Sequence, residues 1–372
     1  MDNLTHTLLG LCLAKAGLER TTPLATTALV ISSNLPDIDN FGILRGSVVT
    51  SLQNHRGFTH GFLGLAILAV LLTLTLSFLD RRFRLRTDPF RRPLRPLRIF
   101  WLAFLAGLAH SFMDFTNSYG VRLLEPFGHR WFSGDIIFVV DPWIWLVLGA
   151  VTVWLTATSA ARIFLWMIVG TITSLVVALA QRTPAEFIPP LSIVVRVIWF
   201  AGVAVIMWGV FRAWGRRSDT GGDPSRLARY ALGVLLLYYA GMWSAHQTAL
   251  KRGWSSLPSG ANAVAAWPMP ADPRMWQLAA SSEDSRFLAN VNLRGNIDQW
   301  RQFQRLEPEI EAALRESPDA SAALDFMRFR WGVVEETADG LTVTVRDLRF
   351  SLRMRAELDK DLRVQSVDVH WF

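Results

Sequence analysis

Histidines and aspartates collect at the ends of apolar segments in the first 115 residues of this sequence. Neutral imidazoles and carboxylates together are ligands that suit zinc, manganese and iron. Such side chains are energetically costly at membrane depth, so their presence there points to a functional site. The candidate metal ligands are His6, Asp37, Asp39, His60, His110 and Asp114.

The local spacing of these residues suits metal binding. His110 and Asp114 are four residues apart in an apolar segment, so a helix places both side chains on one face. Asp37 and Asp39 follow Pro36, which favours a helix break and lets both carboxylates point inward. We therefore expect separate stretches of the chain to bring these groups into one layer.

The stretch "NHRGFTHG", residues 54–61, contains one further ligand candidate and two candidates for catalysis. Gly57 allows a tight turn, so that His60 can begin the next helix as a rigidly held ligand. His55 lies further out on the loop and is predicted to act as a general acid, with metal binding as the alternative. Arg56 is predicted to pair with a phosphate, because a guanidinium suits phosphate oxygens. Its alternative role is an arginine that extends to the membrane interface.

The composition is typical of an integral membrane protein with a polar tail. Hydrophobic residues make up 51% of the 372 residues, charged residues make up 19%, and the mean hydropathy is +0.26. A soluble domain usually has about 25% charged residues. The net charge of +7 does not indicate nucleic-acid binding, since the arginines concentrate in two short loops that act as topology signals. The single Cys12 excludes an intramolecular disulfide and a cysteine-rich zinc site.

The apolar segments predict an all-α polytopic membrane helix bundle within residues 1–250, with about six to eight membrane helices. The first two segments are short for a span of about 20 residues, and we expect them to be tilted or to form a re-entrant hairpin. The predicted helices are 4–18, 23–36, 61–79, 99–118, 143–157, 163–181, 191–212 and 230–248.

The arginine-rich loops 81–98 and 212–229 predict the orientation of the bundle. Both should be cytoplasmic by the positive-inside rule. The loops 37–60, 119–142 and 182–190, and everything after residue 248, then lie on the outer side. The candidate ligands are consequently expected near the outer membrane–water interface.

Residues 251–372 are predicted to form a soluble, extracytoplasmic domain of α+β type. "IDQWRQFQRLEPEIEAALRES" is typical of an amphipathic helix, whereas "LTVTVRDLRFSLRMRAEL" and "LRVQSVDVHWF" alternate as strands do. A turn is predicted at Asp339-Gly340, after the strand-like "FMRFRWGVVEET". "WPMPADPRMWQLAA" is rich in Pro and Trp and shows no periodicity.

Three residues of the 119–142 loop have alternative roles. Asp141 precedes a proline and is predicted either to cap the following helix or to bind metal. His129 is predicted to be a loop residue or a substrate contact. His129 or Asp135 is predicted to serve as the proton donor if His55 proves to be a ligand.

Four ordered motifs, "THTLLG", "LPDIDN", "HRGFTH" and "HSFMDFTNSYG", resemble the YdjM/YbcI family of inner-membrane, metal-dependent hydrolases over residues 1–145. The resemblance implies a location in the bacterial inner (plasma) membrane and a hydrolase whose substrate is poorly defined. A more distant likeness is to the zinc-dependent phospholipase C and S1/P1 nuclease group. That likeness implies the ligand order His6, Asp37 or Asp39, His60, His110 and Asp114. Because an HxxxE motif after Asp114 is missing, one or two metal ions are expected instead of a three-zinc cluster.

The sequence thus predicts a membrane-bound metal-dependent hydrolase acting on a phosphoester or lipid-borne substrate at the outer interface. The expected cofactor is a divalent metal, zinc before manganese or iron, which activates water for attack on phosphorus or a carbonyl. Membrane lipids are the expected partners, and no nucleic acid is expected. The alternative is a non-enzymatic metal-binding membrane protein or a transporter, although a transporter should hold its ligands near the bilayer midplane. A membrane protease is a third possibility, weakened by the absence of HExxH.

Overall fold

The computed structural model describes residues 1–42, 48–180, 191–213 and 223–371. The chain forms two compact units. The described residues of the first unit are 1–38, 56–180, 191–213 and 223–241. Those of the second unit are 39–42, 48–55 and 242–371. The predicted loop 182–190 falls outside the residues that the structure describes. The domain boundary after residue 250 stays a prediction.

Helices form all of the regular structure in the first unit apart from isolated β-bridges among the described residues. Four helices are long and apolar enough to cross a membrane: 62–87, 96–115, 160–179 and 193–212. The α-helices of the chain are α1 (Asn3–Lys15), α2 (Ala25–Ser32), α3 (Val48–Asn54), α4 (Phe62–Leu79), α5 (Leu85–Thr87), α6 (Pro96–Phe115), α7 (Pro142–Thr156), α8 (Ala160–Leu179), α9 (Ile193–Ala213), α10 (Pro224–Ser255), α11 (Pro308–Arg315) and α12 (Pro318–Phe326). The predicted helical membrane part is therefore confirmed.

Local signals fix where these helices begin. α6 and α7 each start with a proline in the first turn. Proline is favourable there because backbone N–H groups of the first turn have no acceptor within the helix, so its missing N–H costs no hydrogen bond. Asp141 caps α7 by accepting from the backbone N–H groups of Trp143 and Ile144. Asp2 caps α1 in the same way, accepting from the N–H of Thr5 at 3.0 Å.

Small residues allow α1, α2, α4 and α6 to pack closely around the candidate site. Ala28 and Ala103 are fully buried between α2, α4 and α6. At Gly10 of α1, a side-chain Cβ would lie 2.6 Å from Ser33 Oγ and 3.0 Å from Leu29 O. Close approach of this kind is typical of helix pairs in membranes. It sets α1 and α2 at a short, fixed separation.

The helix bounds differ most from the prediction at the second predicted helix and at the segment predicted at 230–248. The second helix ends at Ser32 and is followed by a 3₁₀ helix, Leu35–Gly42, because Pro36 cannot continue the α-helical hydrogen bonds. The segment predicted at 230–248 belongs to the longer α10, whose added turns are polar and amphipathic, so hydropathy did not mark them.

The second unit contains two four-stranded antiparallel sheets with the orders β1-β2-β3-β4 and β5-β6-β7-β8. The strands are β1 (Ala263–Met269), β2 (Asp272–Ser281), β3 (Ser285–Asn292), β4 (Arg301–Gln304), β5 (Arg330–Thr337), β6 (Gly340–Asp347), β7 (Leu352–Asp359) and β8 (Val364–Trp371). Thr337 pairs with Gly340, which confirms the predicted turn at Asp339-Gly340. Together with α11 and α12, the sheets confirm the predicted α+β class.

Three predictions for the second unit need correction. "WPMPADPRMWQLAA" supplies the last three residues of β1 and most of β2, and its Pro268 is tolerated because β1 is an edge strand. The predicted amphipathic helix "IDQWRQFQRLEPEIEAALRES" is β4 followed by α11, since Pro308 starts a new helix. Part of the predicted loop 37–60 is α3, which packs against α12 and β8.

Candidate metal centre

Four predicted ligands come together in the first unit: Asp37, His60, His110 and Asp114. One ligand atom from each lies within 4.8 Å of the other three. Asp37 is 7% exposed and the other three side chains are fully buried. The 3₁₀ helices Leu35–Gly42 and Phe58–His60 supply Asp37 and His60, and the end of α6 supplies the other two.

The separations between these ligand atoms match a tetrahedral metal site. His60 Nε2 lies 3.1 Å from His110 Nε2, 3.3 Å from Asp114 Oδ2 and 3.4 Å from Asp37 Oδ1. His110 Nε2 lies 3.4 Å from Asp114 Oδ2 and 3.7 Å from Asp37 Oδ1. Ligands bound at about 2.0–2.1 Å from a tetrahedral zinc ion are about 3.3–3.4 Å apart. The group therefore has the dimensions of a metal site.

Contacts behind the two histidines orient their ring nitrogens. His110 Nδ1 donates to the Ser33 carbonyl at 2.8 Å, which leaves its Nε2 lone pair directed at the group. His60 Nδ1 lies 3.1 Å from Thr59 Oγ1, and the Ser111 hydroxyl donates to the His60 carbonyl at 2.9 Å. Each histidine thus has an outer partner of the kind that fixes metal-bound histidines in proteins.

His6 lies beside the four-atom group. Its ring stacks on His110 with centroids 3.7 Å apart, and its Nε2 is 3.5 Å from Asp114 Oδ1. Among the described residues, neither ring nitrogen of His6 has a hydrogen-bond partner, and neither does Asp114 Oδ2, whereas Arg56 and the Met1 amino group contact Asp114 Oδ1. A buried polar group left in this state costs about 1–3 kcal/mol. A divalent cation would offset that cost, so these residues fit a bound metal.

Arg56 is buried next to Asp114. Its Nη2 lies 3.1 Å from Asp114 Oδ1, an oxygen that the amino group of Met1 also contacts. Its Nη1 donates to Asn117 Oδ1 at 3.0 Å and to the Gly120 carbonyl at 3.3 Å. At 3% exposure, Arg56 is not an arginine that extends to the membrane interface.

The sequence indicated neither Asn117 nor Gly120 as part of this site. The signal that could have found them is "NSYG", which directly follows the helical His110–Asp114 pair in the fourth motif. The Arg56 guanidinium also lies 4.5 Å from the Tyr119 ring centroid, within cation–π range. Arg56 has left-handed backbone geometry, with φ of 56°, and Gly57 directly precedes the 3₁₀ helix Phe58–His60.

Two glycines after His60 keep this histidine close to its neighbours. A Cβ at Gly64 would overlap with the Phe58 carbonyl, and a Cβ at Gly61 would lie 2.9 Å from the Glu125 carbonyl. The start of α4 can therefore approach both backbones only with glycine at these positions. The "HGFLG" part of the sequence is explained by this packing.

Asp39 and His55 belong to the second unit, where they bond to each other. His55 Nδ1 lies 2.9 Å from Asp39 Oδ1, and the two side chains are 12% and 7% exposed. A carboxylate on Nδ1 fixes the tautomer and directs Nε2 toward proton transfer. The predicted metal-binding role of Asp39 and the acid role of His55 stay predictions.

The remaining polar residues of the 119–142 loop have separate positions. Asp141 caps α7 and accepts from the Tyr238 hydroxyl at 2.7 Å, and burial raises the pKa of this carboxyl to about 6. His129 is 78% exposed and pairs with Glu125 at 2.8 Å, as expected of a loop residue. Asp135 is 7% exposed and has φ of 54°, an uncommon conformation for a residue other than glycine.

Comparison with known proteins adds a family. Residues 1–185 match the model of the YdjM inner membrane protein family. This part of the chain belongs to the YdjM inner membrane protein family. With its four candidate spans, the chain is an inner membrane protein. The YdjM match includes all four residues of the metal group, together with His6 and Arg56.

The chain is similar to a curated protein, the uncharacterized protein YfhP of Bacillus subtilis (strain 168). It is 28% identical over 177 residues, which are 44% of this chain and 50% of that protein. The chain therefore spans about half the length of the curated relative that it matches. No solved structure matches the chain. These matches name no enzymatic activity, and the likeness to the phospholipase C and nuclease group stays an expectation.

Proposed function

We propose that this chain is a membrane-bound metal-dependent hydrolase that acts on a phosphoester or another lipid-borne substrate. The observation that carries the proposal is the buried group of two imidazoles and two carboxylates with metal-site dimensions. When bound there, a divalent metal supplies an activated water for hydrolysis. Zinc is the first candidate, with manganese and iron as alternatives for the same donors.

The chemistry of the donors supports catalysis more than a structural metal. Structural zinc sites in proteins are dominated by cysteine thiolates, whereas histidine and carboxylate donors are typical of catalytic sites. The described residues contain one cysteine, Cys12, and its sulfur lies 3.5 Å from the Ala228 carbonyl. We assign metal binding to Asp37, His60 and the His110–Asp114 pair, with His6 as a further donor beside them.

Arg56 is proposed to position a ligand. Its guanidinium already contacts Asp114, Asn117 and the Gly120 carbonyl, so its donors are directed at the protein. It holds one oxygen of Asp114 while Oδ2 faces the two histidines. This role replaces direct phosphate binding in our account of the site.

His55 is proposed as the general acid that protonates the leaving group. Its bond to Asp39 supports this role, because a carboxylate partner stabilises the protonated ring and fixes its orientation. After protonation of the leaving oxygen, the ring returns to its neutral form. Asp135 remains the alternative donor.

The place of the metal group on α6 argues against transport. His110 and Asp114 both lie among the last six residues of a 20-residue span, Pro96–Phe115. A transporter should hold its ligands near the bilayer midplane. A site at a helix end is suited to a substrate at the membrane surface, such as a lipid headgroup. We propose the outer surface, following the positive-inside argument for the 81–98 loop.

Hydrolysis by metal-depleted and reloaded protein tests the proposal. The purified full-length protein is stripped with a chelator, reloaded separately with zinc, manganese and iron, and assayed with bis(p-nitrophenyl) phosphate and with phospholipid vesicles. We expect activity to return with at least one metal and to be absent in Asp114→Asn. His370→Ala, at an exposed position of β8, should retain full activity. Stoichiometric metal without hydrolysis of any substrate would instead indicate a non-enzymatic metal-binding protein.

A further inference from the structure

An apolar groove lies in the first unit, between α1, α7, α8 and α9. Its empty volume of about 470 Å³ includes space that is open to the surroundings. Leu4 and Leu8 line it from α1, and Trp145, Trp166 and Trp199 line it from the other helices. The groove is not enclosed by the protein, so a flexible ligand can enter it from the side.

The three tryptophans present only carbon atoms to this groove. Trp145 Nε1 donates to Thr5 Oγ1 at 2.9 Å, and Trp166 Nε1 donates to Thr156 Oγ1 at 2.9 Å. Trp199 Nε1 donates to Ser174 Oγ at 3.1 Å. Every indole N–H of the lining is thus satisfied by the protein, and no indole donor is left for a polar ligand. The groove suits a hydrocarbon.

Two glycines leave the space that forms the groove. A Cβ added at Gly149 of α7 would meet no atom within 4 Å, although the residue is buried. At Gly170 of α8 the nearest atom to an added Cβ would be Val203 Cγ1, at 3.9 Å. A larger side chain at either position would therefore enter the groove without displacing the backbone.

The surroundings of the groove determine its occupant. α8 and α9 are candidate membrane spans. Only 17% of the apolar 18-residue stretch of each helix is buried inside the protein. Most of their surface therefore faces hydrocarbon when the helices cross a bilayer. The ligand available at this depth is the acyl chain of a membrane lipid. We propose that the groove is a binding site for one such acyl chain.

The acyl-chain site is distinct from the metal group. Leu4 and Leu8 are four residues apart and share one face of α1, whereas His6 is two residues from each and lies on the opposite face. α1 therefore contacts the groove on one side and the metal group on the other. The acyl-chain site does not depend on hydrolytic activity, so the proposed lipid binding can be tested separately from the proposed hydrolase.

Photocrosslinking tests the site in the full-length protein reconstituted in vesicles. The probe is a phosphatidylglycerol with a diazirine in one acyl chain, and labelled residues are mapped by mass spectrometry. We expect labelling to concentrate on the groove, at Leu4, Leu8 and Met207, and to saturate as the fraction of the probe in the vesicles rises. Gly149→Leu should reduce this labelling roughly tenfold, equivalent to about 1.4 kcal/mol of binding.

Gly241→Leu is the matched control. It is also a helical glycine at which an added Cβ meets no atom within 4 Å, but it lies on an exposed face of α10. It should label like wild type. Labelling spread evenly along the lipid-facing helices, or labelling that does not saturate in wild type, would show ordinary bilayer contact and overturn the proposal. The saturation result holds even if Gly149→Leu fails to fold.

Discussion

The buried Asp–His group of the first unit and the Asp368–His370 pair on β8 contain the same side chains in opposite environments. On β8, His370 Nε2 lies 2.6 Å from Asp368 Oδ2, and the two side chains are 57% and 64% exposed. In the first unit, His60, His110 and Asp114 are fully buried at separations of 3.1–3.4 Å. Residue type therefore does not distinguish the two sets, but burial does.

Burial changes what each set costs the fold. An exposed ion pair contributes about 0–1 kcal/mol and can be lost with little effect. A buried carboxylate costs several kcal/mol of desolvation, which must be offset by partners. Arg56 offsets part of that cost at Asp114, yet Asp114 Oδ2 and the His6 nitrogens have no hydrogen bond among the described residues. A bound cation supplies the missing interaction, and this is the central claim of our account.

The Asp39–His55 pair sharpens the comparison because its burial is intermediate. If His55 is the general acid, His55→Gln should keep its metal and lose about 10²–10⁴-fold in kcat on alkyl phosphoesters. The loss should be much smaller on p-nitrophenyl esters, whose leaving group needs no proton. Paired assays on the two substrate types measure this difference. Equal losses on both, or loss of metal, would show that His55 has another role.

A substitution of Arg56 tests whether the partner of the buried Asp114 carboxylate contributes to metal affinity. Arg56→Met should weaken metal binding by about 10–100-fold, as loss of a residue that orients a ligand typically does. Competition with a chromogenic chelator measures the affinity. Arg130→Met is the control, since Arg130 is an exposed arginine of the same unit. Unchanged affinity in Arg56→Met would mean that Asp114 is held by other contacts.

The exposed pair should show the smallest effect. Asp368→Asn removes an ion pair that water already screens, so we expect the free energy of unfolding to change by at most about 1 kcal/mol. Chemical denaturation of the detergent-purified protein, followed by tryptophan fluorescence, measures the change. A loss of several kcal/mol would contradict the contrast between the two sets.

The sequence predicted the parts of the site that depend on local pattern. His110 and Asp114 share a helical face because four residues make about one turn, and both lie in the group. The four candidate spans were visible because hydropathy reports membrane helices directly. The alternating pattern of β7, with Leu352, Met354, Ala356 and Leu358 buried, identified the C-terminal sheet.

Features that depend on tertiary contacts could not be predicted. Arg56 bonds Asn117 and the Gly120 carbonyl, more than 60 residues away, through a left-handed backbone that no motif required. Asp39 bonds His55, 16 residues further along the chain, a pairing that the spacing of the motifs did not indicate.

Metal analysis of three matched proteins tests the central claim most directly. Wild type, Asp114→Asn and Asp368→Asn are purified in mild detergent, exposed to zinc, desalted and measured by inductively coupled plasma mass spectrometry. Our account predicts stoichiometric metal in wild type and in Asp368→Asn, and background metal in Asp114→Asn. Equal metal content in all three proteins, whether high or at background, would contradict the buried group as the metal centre.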